Sequence, residues 1–263
     1  MKSLAAGFDR VRPAPPGVVV LLYHRVGGAS GLEVDLPVER FEAQMAALAA
    51  SGRATTLDTA LAALEAPSGA AVNAPVVVTF DDGTADFAEV ALPVLVRHRV
   101  PALLYVATDF VERRRSFPDD GTPVSWASLA DAASTGLVEI GSHTHTHALL
   151  DRAPAADIDM ELDRSIELIG ERLGTLPGHF AYPKALAGSA AAERAVRARF
   201  RSAALAGTRP NRYGHTDPYR LSRSPIQRAD GMRFFEQKLA GGMAFEDTLR
   251  RAINRVRYAG ATT

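Results

Sequence analysis

Two short segments hold the residue types that can do chemistry. Val76-Val77-Val78-Thr79-Phe80 is a run of apolar and β-favouring residues, and Asp81-Asp82-Gly83 follows at once. Such a run reads as a buried strand that delivers two adjacent carboxylates at its C-terminal end. Neighbouring side chains on a strand point to opposite faces, so one carboxylate can bind a metal while the other stays free as a base. Further along, His143-Thr144-His145-Thr146-His147 follows Ile140-Gly141-Ser142. His143 and His147 are four residues apart and would share a face on a helical turn. Two imidazoles and one carboxylate form a common three-ligand set for a catalytic zinc ion, with one position left open for water.

The elements that must position these groups alternate in type. Strands are expected at Val18–Tyr23, Val76–Phe80, Ala102–Ala107, Val138–Gly141, His179–Tyr182, Ser202–Leu205 and Leu221–Ile226. Helices are expected at Val38–Ala50, Phe87–His98, Ser125–Ser134, Ala155–Leu173, Ala190–Phe200 and Phe245–Tyr258. The helix 155–173 carries Ile158, Leu162, Ile166 and Ile169 on one side. Repeated strand–helix units imply parallel strands joined by right-handed crossovers. About seven of them in one domain favour a distorted (β/α) barrel, an α/β fold, over an open sheet. In such barrels chemistry gathers on the loops after the strands, and Asp81/Asp82, His143/His147 and the Pro183 segment all fall there. The 263 residues are expected to form one domain, with the motifs between 18 and 226.

Composition narrows the function. Lys plus Arg and Asp plus Glu both number 30, a formal net charge of zero, which argues against nucleic acid or an anionic membrane as a bulk electrostatic partner. With no cysteine, disulfides, thiolate ligands and a cysteine nucleophile are excluded. The N-terminal Met1–Asp9 lacks the apolar run of a secretory signal, and Val18–Leu22 is too short to cross a bilayer. A cytoplasmic protein without a membrane anchor is expected.

Taken with their flanks, these motifs resemble the polysaccharide deacetylases, the family 4 carbohydrate esterases with a NodB-homology domain. Thr79-Phe80-Asp81-Asp82-Gly83 and His143 to His147 carry the resemblance. Leu22-Tyr23-His24-Arg25-Val26, Ser125-Trp126, Phe180-Ala181-Tyr182-Pro183 and Tyr219-Arg220-Leu221-Ser222-Arg223 extend it. The resemblance implies metal-assisted removal of N-acetyl, or O-acetyl, groups from an amino sugar or glycan. It implies Asp82, His143 and His147 as ligands of Zn²⁺, or of another divalent ion such as Co²⁺, Ni²⁺ or Mn²⁺. Asp81 is implied as general base, and the backbone N–H of Lys184 as a donor to the oxyanion. The competing readings are hydrolysis of a non-sugar amide and a catalytically silent carbohydrate-binding barrel.

The sequence departs from the family pattern twice. Ala181 stands where many members have an Arg that holds the base, and Arg223 stands where many have the His that acts as general acid. Arg does not deprotonate in proteins and cannot supply that proton. His24, at the end of the first strand, is the candidate acid. Arg223 is expected to reach Asp81 within about 3 Å and orient it. His145, between the ligands, is expected to point away from the metal. Asp86 reads as a charge at a helix start, and Trp126 as either a packing residue or a sugar platform.

Overall fold

Strands with apolar side chains on both faces must be covered on both faces, and that requirement shapes this chain. The computed structural model describes residues 14–65 and 74–243. The strands are β1 (Gly17–Tyr23), β2 (Arg25–Val26), β3 (Asp35–Leu36), β4 (Val76–Phe80), β5 (Ala102–Val106), β6 (Val138–Ser142), β7 (His179–Ala181), β8 (Ser202–Ala204), β9 (Asn211–Arg212) and β10 (Ser224–Pro225). The helices are α1 (Val38–Ala50), α2 (Leu57–Glu65), α3 (Leu92–His98), α4 (Thr108–Arg113), α5 (Trp126–Ser134), α6 (Ala155–Leu173), α7 (Ala190–Arg199) and α8 (Gly231–Leu239).

Seven parallel strands run in the order β10-β1-β4-β5-β6-β7-β8, and β9 pairs antiparallel with the start of β1. Leu221, just before β10, also forms a parallel bridge to Ala204 of β8. The segment 221–225 therefore touches β8 at one end and β1 at the other, and it closes the curled sheet. The expected barrel is what forms. Its last strand is shorter than expected: residues 221–226 contribute the two-residue β10 and one bridge, because the segment divides its hydrogen bonds between two neighbours. The expected helix at Phe245–Tyr258 lies outside the described residues.

Alternation along each strand separates two cores. Val19, Leu21 and Tyr23 of β1, with Val76, Val78 and Phe80 of β4, face the outer helices. There Tyr23, Phe41, Phe80 and Phe87 form a chain of ring contacts 4.9–5.8 Å apart. The opposite parity, Val18, Val20, Val77, Leu103 and Tyr105, fills the barrel interior together with Leu221. Continuing that interior parity past the strand end carries Val77 and Thr79 on to Asp81. In the closing segment it carries Leu221 on to Arg223. Both charged side chains are thus sent inward by the two-residue period of a strand.

Gly141 is required where it stands. A Cβ there would lie 2.6 Å from the Tyr105 ring and 2.9 Å from the His179 carbonyl oxygen. The expected helix at Phe87–His98 opens instead with a π-helical turn, Phe87–Ala91, ahead of α3. Asp86, at its start, accepts a 2.6 Å hydrogen bond from Val26 N–H and ties β2 to this turn. Among the described residues no helix is long and apolar enough to cross a membrane.

Candidate metal and active site

Asp81 and Asp82 emerge from β4 in different directions because Asp82 takes a left-handed backbone conformation (φ 75°). Its carbonyl accepts from Ala107 N–H at 3.0 Å, which pins the turn to the end of β5. Asp81 stays buried, while Asp82 reaches the rim.

His143 directly follows β6, and its N–H donates to the Val106 carbonyl at 3.0 Å. Its ring Nδ1 lies 2.7 Å from the Ala181 carbonyl oxygen. A carbonyl only accepts, so Nδ1 carries the proton and the Nε2 lone pair faces the site. His147 arrives differently from expectation. Residues 143–147 form no helical turn: Thr144 and His147 are both left-handed (φ 65° each), and the loop doubles back. The two imidazoles still meet, with ring centroids 5.0 Å apart. Burial, with the neighbouring His143 adding to it, pushes the His147 pKa down to about 4, so this ring is neutral near pH 7.

The Asp82 carboxylate lies 3.6 Å from His143 Nε2 and 3.4 Å from His147 Nε2. Donor atoms of all three residues lie within 4.8 Å of one another. Ligands about 2.0–2.1 Å from a tetrahedral zinc ion stand about 3.3 Å apart, so the trio suits such an ion without rebuilding. His145 is outside it. Its Nδ1 contacts Thr108 Oγ1 at 2.9 Å, and its Nε2 lies 3.6 Å from Asp109.

Arg223 lies beneath Asp81. Nη1 donates to Asp81 Oδ1 at 2.6 Å and Nη2 to Oδ2 at 2.8 Å, within the 3 Å expected from the sequence. Nε donates to the Leu205 carbonyl at 3.0 Å, and Nη1 also lies 3.3 Å from Thr79 Oγ1. Burial alone would raise the Asp81 pKa. The Arg223 charge, then His143, the Arg223 hydrogen bonds and His24 outweigh it and lower that pKa to about 2. Burial alone would lower the Arg223 pKa, and the Asp81 charge reverses that and leaves it raised.

Above these residues opens a cavity of about 430 Å³, lined in part by His24, Asp81, Asp82, His143, His147 and Lys184. Arg223 is fully buried and is absent from its lining, so it faces Asp81 rather than the cavity. His24 follows the last residue of β1 and lines the cavity. Lys184 sits in the 3₁₀ turn Pro183–Ala185, where it and Ala185 both take φ 55°. The turn's own hydrogen bonds are donated by Ala185 and Leu186, leaving the Lys184 N–H out of them. Trp126 is not on this cavity. It packs on the outer core and donates to Glu112 at 2.8 Å.

A second group, Asp58, Glu139 and His179, gathers at the opposite ends of the strands. Arg201 already fills its centre, 3.0 Å from Asp58, 3.5 Å from Glu139 and 3.2 Å from His179 Nε2. Its carboxylates are balanced by the chain's own cation.

The family model for polysaccharide deacetylase matches residues 69–203, just over half of the 263 residues. The chain belongs to the polysaccharide deacetylase family. Members of this family are hydrolases that deacetylate glycans. No curated protein matches the chain. Among solved structures, the deacetylase PplD from Streptococcus pyogenes, in complex with acetate, is similar with a TM-score of 0.74 at 19% identity, covering 86% of this chain and 99% of that one. IcaB from Ammonifex degensii gives 0.72 at 23% identity, covering 86% and 98%. A de-N-acetylase from Aggregatibacter actinomycetemcomitans gives 0.67 at 18%, covering 84% and 99%. These three share the fold. The family match spans Asp81, Asp82, His143, His147 and Lys184, and it leaves out His24 and Arg223.

Sequence reasoning missed the residues that grip the histidine loop. Thr108 and Asp109 open α4, a helix too short to leave a periodic apolar stripe. Glu161 had a visible signal: it is an acidic residue on the core-facing side of α6, between Ile158 and Leu162.

Proposed function

We propose that this chain removes the N-acetyl group from an amino sugar of a small or carrier-linked glycan, using a divalent ion, zinc, held by Asp82, His143 and His147. The observation that carries the reading is a preformed donor trio, with spacings of 3.4 and 3.6 Å, beside a buried carboxylate gripped by Arg223. When bound, the ion polarises the acetyl carbonyl and lowers the pKa of an attacking water. Asp81 receives a proton from that water as oxygen attacks the acetyl carbon. The Arg223 charge holds the Asp81 pKa down at about 2, which favours the ionised form that can accept the proton. The bidentate Arg223 contact holds the carboxylate in one orientation. The Lys184 N–H donates to the oxygen that becomes negative at the tetrahedral carbon. His24 gives a proton to nitrogen as the carbon–nitrogen bond breaks, and acetate and the free amine leave. The cavity size is that of a small-molecule site, which favours a short sugar unit over a long polymer groove.

The test is acetate release from a panel of N-acetylated sugars and chitooligosaccharides, alongside metal content. We expect activity that is lost on chelation, restored by Zn²⁺ or Co²⁺, and absent in the His143→Ala protein. Full activity after complete chelation, or full metal occupancy in His143→Ala, sinks the reading.

A further inference from the structure

The loop that carries both histidines has no regular structure of its own to hold it. β6 ends at Ser142, and two of the next five residues are left-handed without being glycine. Two helices supply the restraint. At the start of α4, the N–H groups of Thr108 and Asp109 donate to the carbonyls of Thr144 (3.4 Å) and His145 (2.8 Å). From α6, Glu161 accepts Thr146 N–H on Oε2 and the Thr146 hydroxyl on Oε1, both at 2.7 Å. Glu161 is only 4% exposed. Among the described residues no Lys or Arg forms an ion pair with it; Arg164, on the next turn, pairs with Glu167 and Glu171 instead. A buried carboxylate surrounded by neutral donors is a costly filling for a helix seam, where leucine would pack without a desolvation penalty. Leucine could not hold both donors of Thr146, the residue next to His147.

We propose that Glu161 is a positioning residue for His147. It fixes the left-handed loop through Thr146, so that the imidazole stands 3.4 Å from Asp82 before any ion binds. The inference rests on the metal-site reading above. It assigns Glu161 to ion affinity rather than to proton transfer.

Zinc affinity of the full chain, stripped of metal and titrated against a chromophoric chelator, tests this. Glu161→Ala should weaken zinc about 10–100-fold, the usual cost of removing a group that orients a ligand. Glu161→Gln should stay near wild type, because the amide oxygen can accept from Thr146 N–H while its NH₂ donates to the hydroxyl. Thr146→Val, at an exposed position, removes one of the two bonds and should weaken zinc about 2–10-fold. Ile158→Ala is the control: it removes a core contact from the same helix and should lower the melting temperature of the metal-free chain without moving zinc affinity. In a His147→Ala background, Glu161→Ala should add no further loss, since the ring it positions is gone. Unchanged affinity in Glu161→Ala or Thr146→Val, or an equal loss in Ile158→Ala, overturns the proposal. If the wild-type chain binds zinc and only the Glu161 variants fail to respond, the metal-site reading survives alone. A wild-type chain that binds no zinc removes both.

Discussion

Asp81 and Arg223 form the most consequential pair of single residues. The guanidinium is spent on Asp81, Thr79 and a backbone carbonyl, and it is fully buried. Removing one partner leaves the other as an uncompensated buried charge, which costs about 3–5 kcal/mol. Arg223→Met should therefore lower the melting temperature at neutral pH, as read by calorimetry. The sign with pH follows from the depressed carboxylate. Its stabilisation is fully present above the unfolded-state pKa of about 3.9 and is lost as pH falls through about 2. The metal-free wild type should lose stability across that acid window, and Arg223→Met should lose much less there, having little left to lose. Asp81→Asn probes the chemical role separately. It keeps the shape but accepts no proton, so metal content should stay near normal while kcat falls about 10²–10⁴-fold. Hydrolysis at the wild-type rate in Asp81→Asn would remove Asp81 from the base role.

At the scale of elements, the two-residue period of strands explains why the pair exists. Asp81 extends the interior parity of β4, and Arg223 extends that of the closing segment, so each is delivered to the interior from its own strand. This much was legible, because Val76–Phe80 and Leu221–Arg223 show the pattern in the sequence. The route of the histidine loop was not legible. A four-residue spacing suggests a helical turn, yet here two left-handed residues and contacts from α4 and α6 bring the rings together. Those contacts come from residues 35 or more positions upstream and about 15 downstream, which local periodicity does not register. The helices α2, α4 and α8 also went unread: α4 is too short to show a stripe, whereas α2 and α8, nine residues each, do carry one, Leu57, Ala60 and Leu64 in α2 and Phe235 and Leu239 in α8. Gly141 belongs to this scale. Gly141→Ala would drive a methyl group into Tyr105 and the neighbouring strand, at a cost of about 1–3 kcal/mol. A denaturant midpoint unchanged from wild type would show that β6 and β7 can part more easily than their packing indicates.

Across the whole molecule, the site is assembled from both ends of the chain around a family core. The matched segment, 69–203, contains the candidate trio Asp82, His143 and His147, together with Asp81 and Lys184. His24 directly follows β1 and Arg223 directly precedes β10, and β1 and β10 are neighbours in the closed sheet. Closing the barrel is therefore also what brings His24 and Arg223 to the same carboxylate, Asp81. Arg223 makes the bidentate contact to Asp81 that the family resemblance assigns to an Arg at position 181, where this chain has Ala. On the proposed reading the acid is a residue on the cavity wall, and His24 lines that wall. If it protonates the leaving amine, His24→Ala should lose most of its kcat/KM on N-acetyl substrates and flatten the alkaline limb of the pH profile, with zinc content unchanged. An O-acetyl or activated ester substrate needs far less help at its leaving group, so the same variant should lose much less on it. A His24→Ala protein with an equal loss on both substrates, and an unshifted alkaline limb, would mean that His24 shapes the cavity and that solvent protonates the amine.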